Sequence, residues 1–217
     1  PVPAANQIKW RPAAKASRDS ELLTKAATPF AANGGVKLPE GHLGRSVIKT
    51  SAVHEKHYII EAPAVVIDTQ DDLKPLFEAG ELDKDCIVVV RFQGPAANGM
   101  PELHKLTPML GVLQDKGYKI ALVTDGRMSG ASGKVPAAIH LVPEASQGGL
   151  LAKIHNGDVI RLDATTGVLS AQVDQDALSS RIAAVAPVVP RTIGRQMFAN
   201  NRNAVSSAEE GASSLFS

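Results

Sequence analysis

Short apolar runs recur along the chain from about residue 34 to residue 188, and glycine, proline or polar residues separate them. Short runs rich in valine and isoleucine are typical of strands rather than of long helices. The pattern predicts strands at 46–50, 58–67, 87–91, 118–123, 137–142, 158–163 and 168–173. Asn156-Gly157 and Thr166-Gly167 favour tight turns beside the last two strands, because both pairs contain residues that tolerate a positive φ.

Two segments between these strands have a helical pattern. One helix is predicted from Asp71 to Ala79 and another from Pro101 to Lys116, each ended by the glycine that follows it. Leucines recur at helical spacing in the second segment, so they predict a buried stripe, and they are Leu103, Leu106, Leu110 and Leu113. Pro108 and Gly111 are expected to bend or weaken this helix.

Composition excludes several classes of protein. The 217 residues are 44% hydrophobic, which is enough for one sizeable core. The net charge of +1 comes from 23 basic and 22 acidic residues, so we expect no binding to nucleic acid or to an acidic membrane. The apolar runs are too short to span a bilayer. Because the sequence also shows no signal-peptide pattern, a cytoplasmic location is expected. Cys86 is the single cysteine, which excludes an internal disulfide.

The composition changes twice along the chain. Residues 1–33 are rich in alanine, proline, lysine and serine and predict an interdomain connection or extension. Residues 34–190 form the predicted domain. Residues 191–217 predict a helical tail, with three arginines followed by Glu209 and Glu210. The tail is interpreted as a solvated helix, or else as a basic segment that docks on an acidic partner.

Two loops that follow predicted strands carry the candidate chemistry. The loop from Thr124 to Lys134 exposes backbone N–H groups at its glycines, and Ser129, Ser132 and Lys134 add polar side chains suited to a phosphate or carboxylate. A simple turn is the alternative. A phosphate-binding G-x-x-x-x-G-K-[ST] motif is excluded, because Val135 follows Lys134.

The loop from Phe92 to Leu103 also leaves the carboxyl end of a strand, where open α/β sheets bind ligands. The two loops are therefore expected to face one site. Pro101 suits the first position of a helix and Glu102 its first turn. Glu102 is then either a helix-stabilising acid or a metal ligand or base.

Several motifs occur in a fixed order that resembles the iron–sulfur dehydratases, the family of dihydroxy-acid, sugar-acid and 6-phosphogluconate dehydratases. The segments that carry the resemblance are 33–35, 41–52, 94–102, 124–130 and 143–145. Segments 60–66, 77–80, 98–106 and 129–136 look more like the 6-phosphogluconate branch. The resemblance implies an α/β fold, a swivelling β/β/α barrel-like domain with a mixed sheet and short flanking helices. It also implies a cytoplasmic homodimeric hydro-lyase of the Entner-Doudoroff pathway, which converts 6-phospho-D-gluconate to 2-keto-3-deoxy-6-phosphogluconate.

The resemblance also implies roles for individual residues. Glu102 matches the family's magnesium ligand, and Ser129 matches the serine that abstracts the substrate proton. Gly130, Ser132 and Lys134 are expected to bind the substrate, with Lys134 at its phosphate.

The family's iron–sulfur cluster is expected to be of the 4Fe-4S type. Because one cysteine cannot hold a cluster, no cluster ligand is expected in this chain. The chain is accordingly expected to be a C-terminal fragment whose partner is the N-terminal domain of the same protein, and to be inactive alone.

Two alternatives remain open at this stage. The first is a dihydroxy-acid or other sugar-acid dehydratase, against which Lys134 argues. The second is a non-catalytic docking or dimerisation module. Such a module does not require Glu102 and Ser129 to lie together, so their distance distinguishes it from an enzyme.

Overall fold

The computed structural model describes residues 2–4, 7–129, 133–188 and 191–215. The strands are β1 (Val2–Ala4), β2 (Gln7–Lys9), β3 (Val36–Lys37), β4 (Glu40–Gly41), β5 (Gly44–Lys49), β6 (Ile59–Ile67), β7 (Cys86–Val90), β8 (Ile120–Thr124), β9 (Ala137–Val142), β10 (Val159–Asp163) and β11 (Val168–Ala171). The helices are α1 (Leu73–Glu78), α2 (Pro95–Asn98), α3 (Leu106–Asp115), α4 (Gln175–Ser180), α5 (Ile193–Met197) and α6 (Ala199–Asn203). Each strand predicted from the sequence is present.

Strands β4 to β11 close into a barrel. The strand order is β3-β5-β4-β11-β10-β6-β7-β8-β9, and pairing of β5 with β9 joins the two sides. The pairs β6–β7, β7–β8 and β8–β9 are parallel, whereas β10 pairs antiparallel with β6 and β11, and β5 pairs antiparallel with β9. The predicted α/β architecture with a mixed, barrel-forming sheet is therefore confirmed.

The central strands are buried on both faces because the barrel interior lies on one side and helices lie on the other. In β7, Ile87 and Val89 belong to the interior cluster, while Val88 and Val90 pack in a second cluster. The leucine stripe of α3 belongs to that second cluster and consists of Leu106, Leu110 and Leu113, with Leu103 just before the helix. Each leucine is fully buried and contributes about 1.5–3 kcal/mol to folding.

Both helices predicted within the domain are present, one of them with a different start, whereas α2 and α4 were not predicted. Gln70–Asp72 forms a 3-10 turn that leads into α1, close to the expected helix. The second predicted helix is wrong at its start, because α3 begins at Leu106 rather than at Pro101. Gly99 and Met100 adopt left-handed φ values of 72° and 50°, which turn the backbone out of helical geometry before Glu102. Pro108 lies in the first turn of α3, where proline is tolerated.

Contacts divide the chain into two units, Pro1–Gly34 and Gly35–Ser217. In the first unit β1 and β2 pair antiparallel. In the second unit the segment after α4 leads to α5 and α6, and α6 contacts α2. Across the described ranges, none of the helices combines the length and apolarity that a membrane crossing requires.

Candidate active site

Two adjacent parallel strands position the candidate site. β7 and β8 pair from Cys86↔Ile120 to Val90↔Thr124, so the loops after them leave the same edge of the sheet. Beyond the strands the loops meet again, because Glu102 and Arg127 form an isolated parallel bridge. The amide of Leu103 donates to the carbonyl oxygen of Arg127 at 3.2 Å.

The carboxylate of Glu102 joins these two loops. Its Oε1 accepts the amide N–H of Ser129 at 2.6 Å, and its Oε2 accepts Nη1 of Arg127 at 2.6 Å. Nε of Arg127 donates to the carbonyl oxygen of Met100 at 2.7 Å, which fixes the guanidinium. The structure thus brings Glu102 and Ser129 together on one face, the relationship that distinguishes an enzyme site from a docking module.

The backbone conformation of Glu102 differs from the one that the sequence predicted. It does not lie in the first turn of a helix, and the expectation that it stabilises a helix N-terminus is wrong. Its backbone is instead fixed by the bridge to Arg127. The side chain remains 30% exposed, so its carboxylate is accessible to a ligand.

Three residues were predicted to bind the substrate, and the structure describes only one of them, Lys134. Gly130 and Ser132 lie outside the described residues. The Lys134 ammonium pairs with the carboxylate of Asp115, the last residue of α3. Because α3 begins shortly after Glu102 and rises over about 15 Å, Asp115 and Lys134 lie at the far end of that helix. The Lys134 ammonium is thus paired at the C-terminal end of α3, and its role at the substrate stays a prediction.

A buried carboxylate, Asp125, holds the loop bases together. It lies directly after β8 and is fully buried. Its oxygens accept the amides of Phe92 at 3.2 Å, Gln93 at 2.9 Å and Ala145 at 2.9 Å. Burial, with a contribution from the negative charge of Glu144, raises the pKa of Asp125 to about 6, although the amide donors oppose the shift. Asp125 therefore links the segments that follow β7, β8 and β9.

Glu144 has a similar structural role beside it. Its Oε1 accepts the amides of Ala96 at 3.1 Å and Ala97 at 3.2 Å, and the hydroxyl of Ser146 donates to the same oxygen at 2.5 Å. Gly94 makes room for this carboxylate, since a Cβ there would lie 1.7 Å from Oε2 of Glu144. The glutamate thus fixes α2, at the start of the loop that leads to Glu102.

Sequence reasoning identified only some of the residues that make these contacts. Asp125 and Glu144 occur in motifs that resemble the dehydratases, but no role was predicted for either. An acid immediately after an apolar strand was the available signal for Asp125. Lys49 was also overlooked: it lines a small cavity of about 40 Å³ together with Ser129 and Gly133.

The side chains of this chain are suited to a magnesium ion but not to an iron–sulfur cluster. Glu102 fits as a single magnesium ligand, because each accessible carboxylate oxygen retains a lone pair beyond its hydrogen bond. Cys86 does not fit an iron–sulfur cluster, because it is buried and burial raises its pKa to about 11, whereas a ligand must be a thiolate. Within the described ranges, no group of three or more His, Cys, Asp or Glu residues is arranged to hold a metal ion.

Comparison with known proteins supports the resemblance found in the sequence. Phosphogluconate dehydratase of Escherichia coli (strain K12) is 53% identical over 211 residues, which cover 96% of this chain and 35% of that protein. Phosphogluconate dehydratase of Pseudomonas aeruginosa is 54% identical over 210 residues, covering 96% and 34%. Dihydroxy-acid dehydratase of Methanococcus maripaludis is 31% identical over 196 residues, covering 88% and 35%.

The chain spans about a third of the length of these curated relatives, namely their C-terminal third. A family model described as dihydroxy-acid/6-phosphogluconate dehydratase C-terminal matches residues 21–212. The chain belongs to this dihydroxy-acid/6-phosphogluconate dehydratase family.

Proposed function

We propose that this chain is the C-terminal part of a phosphogluconate dehydratase, a hydro-lyase that removes water from 6-phospho-D-gluconate to give 2-keto-3-deoxy-6-phosphogluconate. The contact between the Glu102 carboxylate and the Ser129 amide carries the proposal. This contact brings together two accessible residues. Their counterparts in the family that the sequence resembles bind magnesium and abstract the substrate proton. Relatives that match nearly the whole chain at about half identity bear the name phosphogluconate dehydratase.

The reaction sets the tasks of the side chains. Removing a proton next to a carboxylate and expelling a hydroxyl group require a base and stabilisation of developing negative charge. Ser129 is the proposed base: as an alkoxide, stabilised by nearby positive charge, its side-chain oxygen takes the proton and becomes a neutral hydroxyl. Its amide is held by Glu102, so the position of the residue is set by the same carboxylate that faces the ligand. Arg127 orients that carboxylate from the other side.

Glu102 is the proposed contribution of this chain to a magnesium site. When bound, magnesium would stabilise the charge on the substrate carboxylate and its neighbouring hydroxyl. A single carboxylate is not a complete coordination shell, so the remaining ligands would come from the part of the protein that precedes the matched region in relatives. The proposed 4Fe-4S cluster would belong to that part as well, since Cys86 is unsuited to it.

The substrate phosphate requires a cationic group. Lys134 remains the proposed contact, but binding would require its ammonium to leave Asp115 or to share it with the phosphate. Gly130 and Ser132 are proposed to add hydrogen bonds. We propose further that the protein is a homodimer, that it is cytoplasmic and that it acts in the Entner-Doudoroff pathway.

A comparison of two substrates tests the proposed function. The part of the Escherichia coli relative that precedes the matched region is joined to this chain, and the fusion is loaded with iron, sulfide and magnesium. We expect turnover of 6-phosphogluconate and little turnover of 2,3-dihydroxy-isovalerate, measured by the appearance of the 2-keto product. A preference for the unphosphorylated dihydroxy acid would instead place the chain in the dihydroxy-acid branch.

A further inference from the structure

Large apolar side chains are exposed along one stretch near the C-terminal end of the chain. Ile182, Val185 and Val188 are 91%, 88% and 98% exposed. After residues 189–190, which are not described, Ile193, Met197 and Phe198 are exposed as well. We name these six residues the apolar strip. Several large exposed apolar side chains so close together along the chain are typical of an interaction site on a folded protein.

The first half of the strip follows a defined path along the barrel. Arg181, just before it, forms hydrogen-bonded ion pairs with Asp158 at 2.5 and 3.0 Å. Within it, the amide of Ala184 donates to the carbonyl oxygen of Ala152 at 2.8 Å. Residues 182–188 contain no charged or polar side chain, which is unlike a solvated linker. The segment is therefore held in place while its large side chains face outward.

The strip borders the edge of the sheet at which the candidate site lies. Val188 lines a cavity of about 180 Å³ together with Thr69, which follows β6, and Gln93, which follows β7. The second half of the strip is joined to α2, because Nη1 of Arg195 donates to Oδ1 of Asn98 at 2.9 Å. The loop that begins at α2 continues to Glu102. A body packed on the strip would therefore lie at the same edge as Glu102 and Ser129.

We propose that the apolar strip is the docking surface for the part of the protein that precedes the matched region in the relatives. This inference rests on the proposed function, which requires that part to bring metal ligands to the Glu102 edge. The relatives have about two thirds of their length outside the match, which is ample for a separate domain. A second copy of this chain is the competing occupant.

Cysteine alkylation tests the proposal without an activity assay. Val185→Cys and Val188→Cys are made in this chain and, at the aligned positions, in the full-length Escherichia coli relative. Lys74→Cys is the matched control, because Lys74 is an exposed residue of α1 that does not belong to the strip. Rates of reaction with a small maleimide are measured at each site by mass spectrometry. Cys86 is an internal reference, since it is buried and expected to react very slowly.

We expect both strip cysteines to react at least roughly tenfold more slowly in the full-length relative than in this chain, with the control unchanged. Equal rates in the two proteins would overturn the proposal. Protection that appears in this chain alone as its concentration rises would assign the strip to a second copy and also overturn it. If the strip is unprotected while the full-length protein still turns over 6-phosphogluconate, the docking inference fails and the proposed function stands.

Discussion

The carboxylate of Glu102 accepts the amide hydrogen of Ser129 at 2.6 Å, although the two residues are 27 positions apart in the chain. The contact joins the loop after β7 to the loop after β8. A residue proposed to hold a metal ion through its carboxylate thus also fixes the backbone of the residue proposed to act as base. A change at Glu102 should consequently alter function far more than folding.

Replacing Glu102 with Gln tests that expectation. In this chain the free energy of unfolding should change by less than about 1 kcal/mol, because the ion pair with Arg127 is partly exposed. In the full-length fusion, 6-phosphogluconate dehydration should fall by at least about a hundredfold, since a metal ligand is lost. Urea denaturation and a keto-product assay measure the two effects. Glu78→Gln, which removes another ion-paired glutamate, should change neither, and full activity of the Glu102 variant would refute the magnesium role.

Asp125 should produce a pH-dependent contribution to stability. Its pKa in the folded chain, about 6, lies above its usual value of 3.8. Folding therefore favours the protonated form, and the stabilising contribution is complete below about pH 4 and is lost as the pH rises through about 6. Relative to Asp125→Asn, the original chain should lose about 3 kcal/mol over that range. Urea denaturation at several pH values measures the difference, and a difference independent of pH would contradict the assigned shift.

Two glycine substitutions form a matched pair for the Glu144 contact. Gly94→Ala should destabilise the chain by about 1–3 kcal/mol or more, because the new Cβ would displace the Glu144 carboxylate from the amides of Ala96 and Ala97. Gly111→Ala meets no atom within 4 Å and lies inside α3, so it should stabilise by about 0.5–1 kcal/mol. Thermal unfolding of both variants tests the pair. A neutral Gly94→Ala would mean that the carboxylate is not packed as described.

Lys134 can be tested by its effect on substrate choice. In the full-length fusion, Lys134→Ala should raise KM for 6-phosphogluconate by roughly ten- to a hundred-fold and affect unphosphorylated gluconate much less, because a charge-assisted contact is lost. Lys116→Ala is the control, since that lysine pairs with Asp83 at 2.9 Å on the same end of α3. Equal losses on both substrates, or no loss, would place the phosphate at another cation.

The strands were predictable because their apolar residues act locally, as in Cys86–Val90, where each position is buried. The sequence indicated the two loops but not the way in which they meet. Pro101 and Glu102 carry local signals for a helix start, yet pairing with Arg127 decides their conformation. Closure of the barrel by β5 and β9 likewise depends on contacts between distant segments. A single sequence does not show these pairings.

The central claim is that Glu102 and Ser129 form half of a site that the preceding part of the protein completes. The most direct measurement compares 6-phosphogluconate turnover by this chain alone and by the full-length fusion, both supplied with iron, sulfide and magnesium. The account predicts turnover by the fusion, its loss in Ser129→Ala, and none by the folded chain alone. Turnover by the purified chain alone, or an active Ser129→Ala fusion, would contradict it.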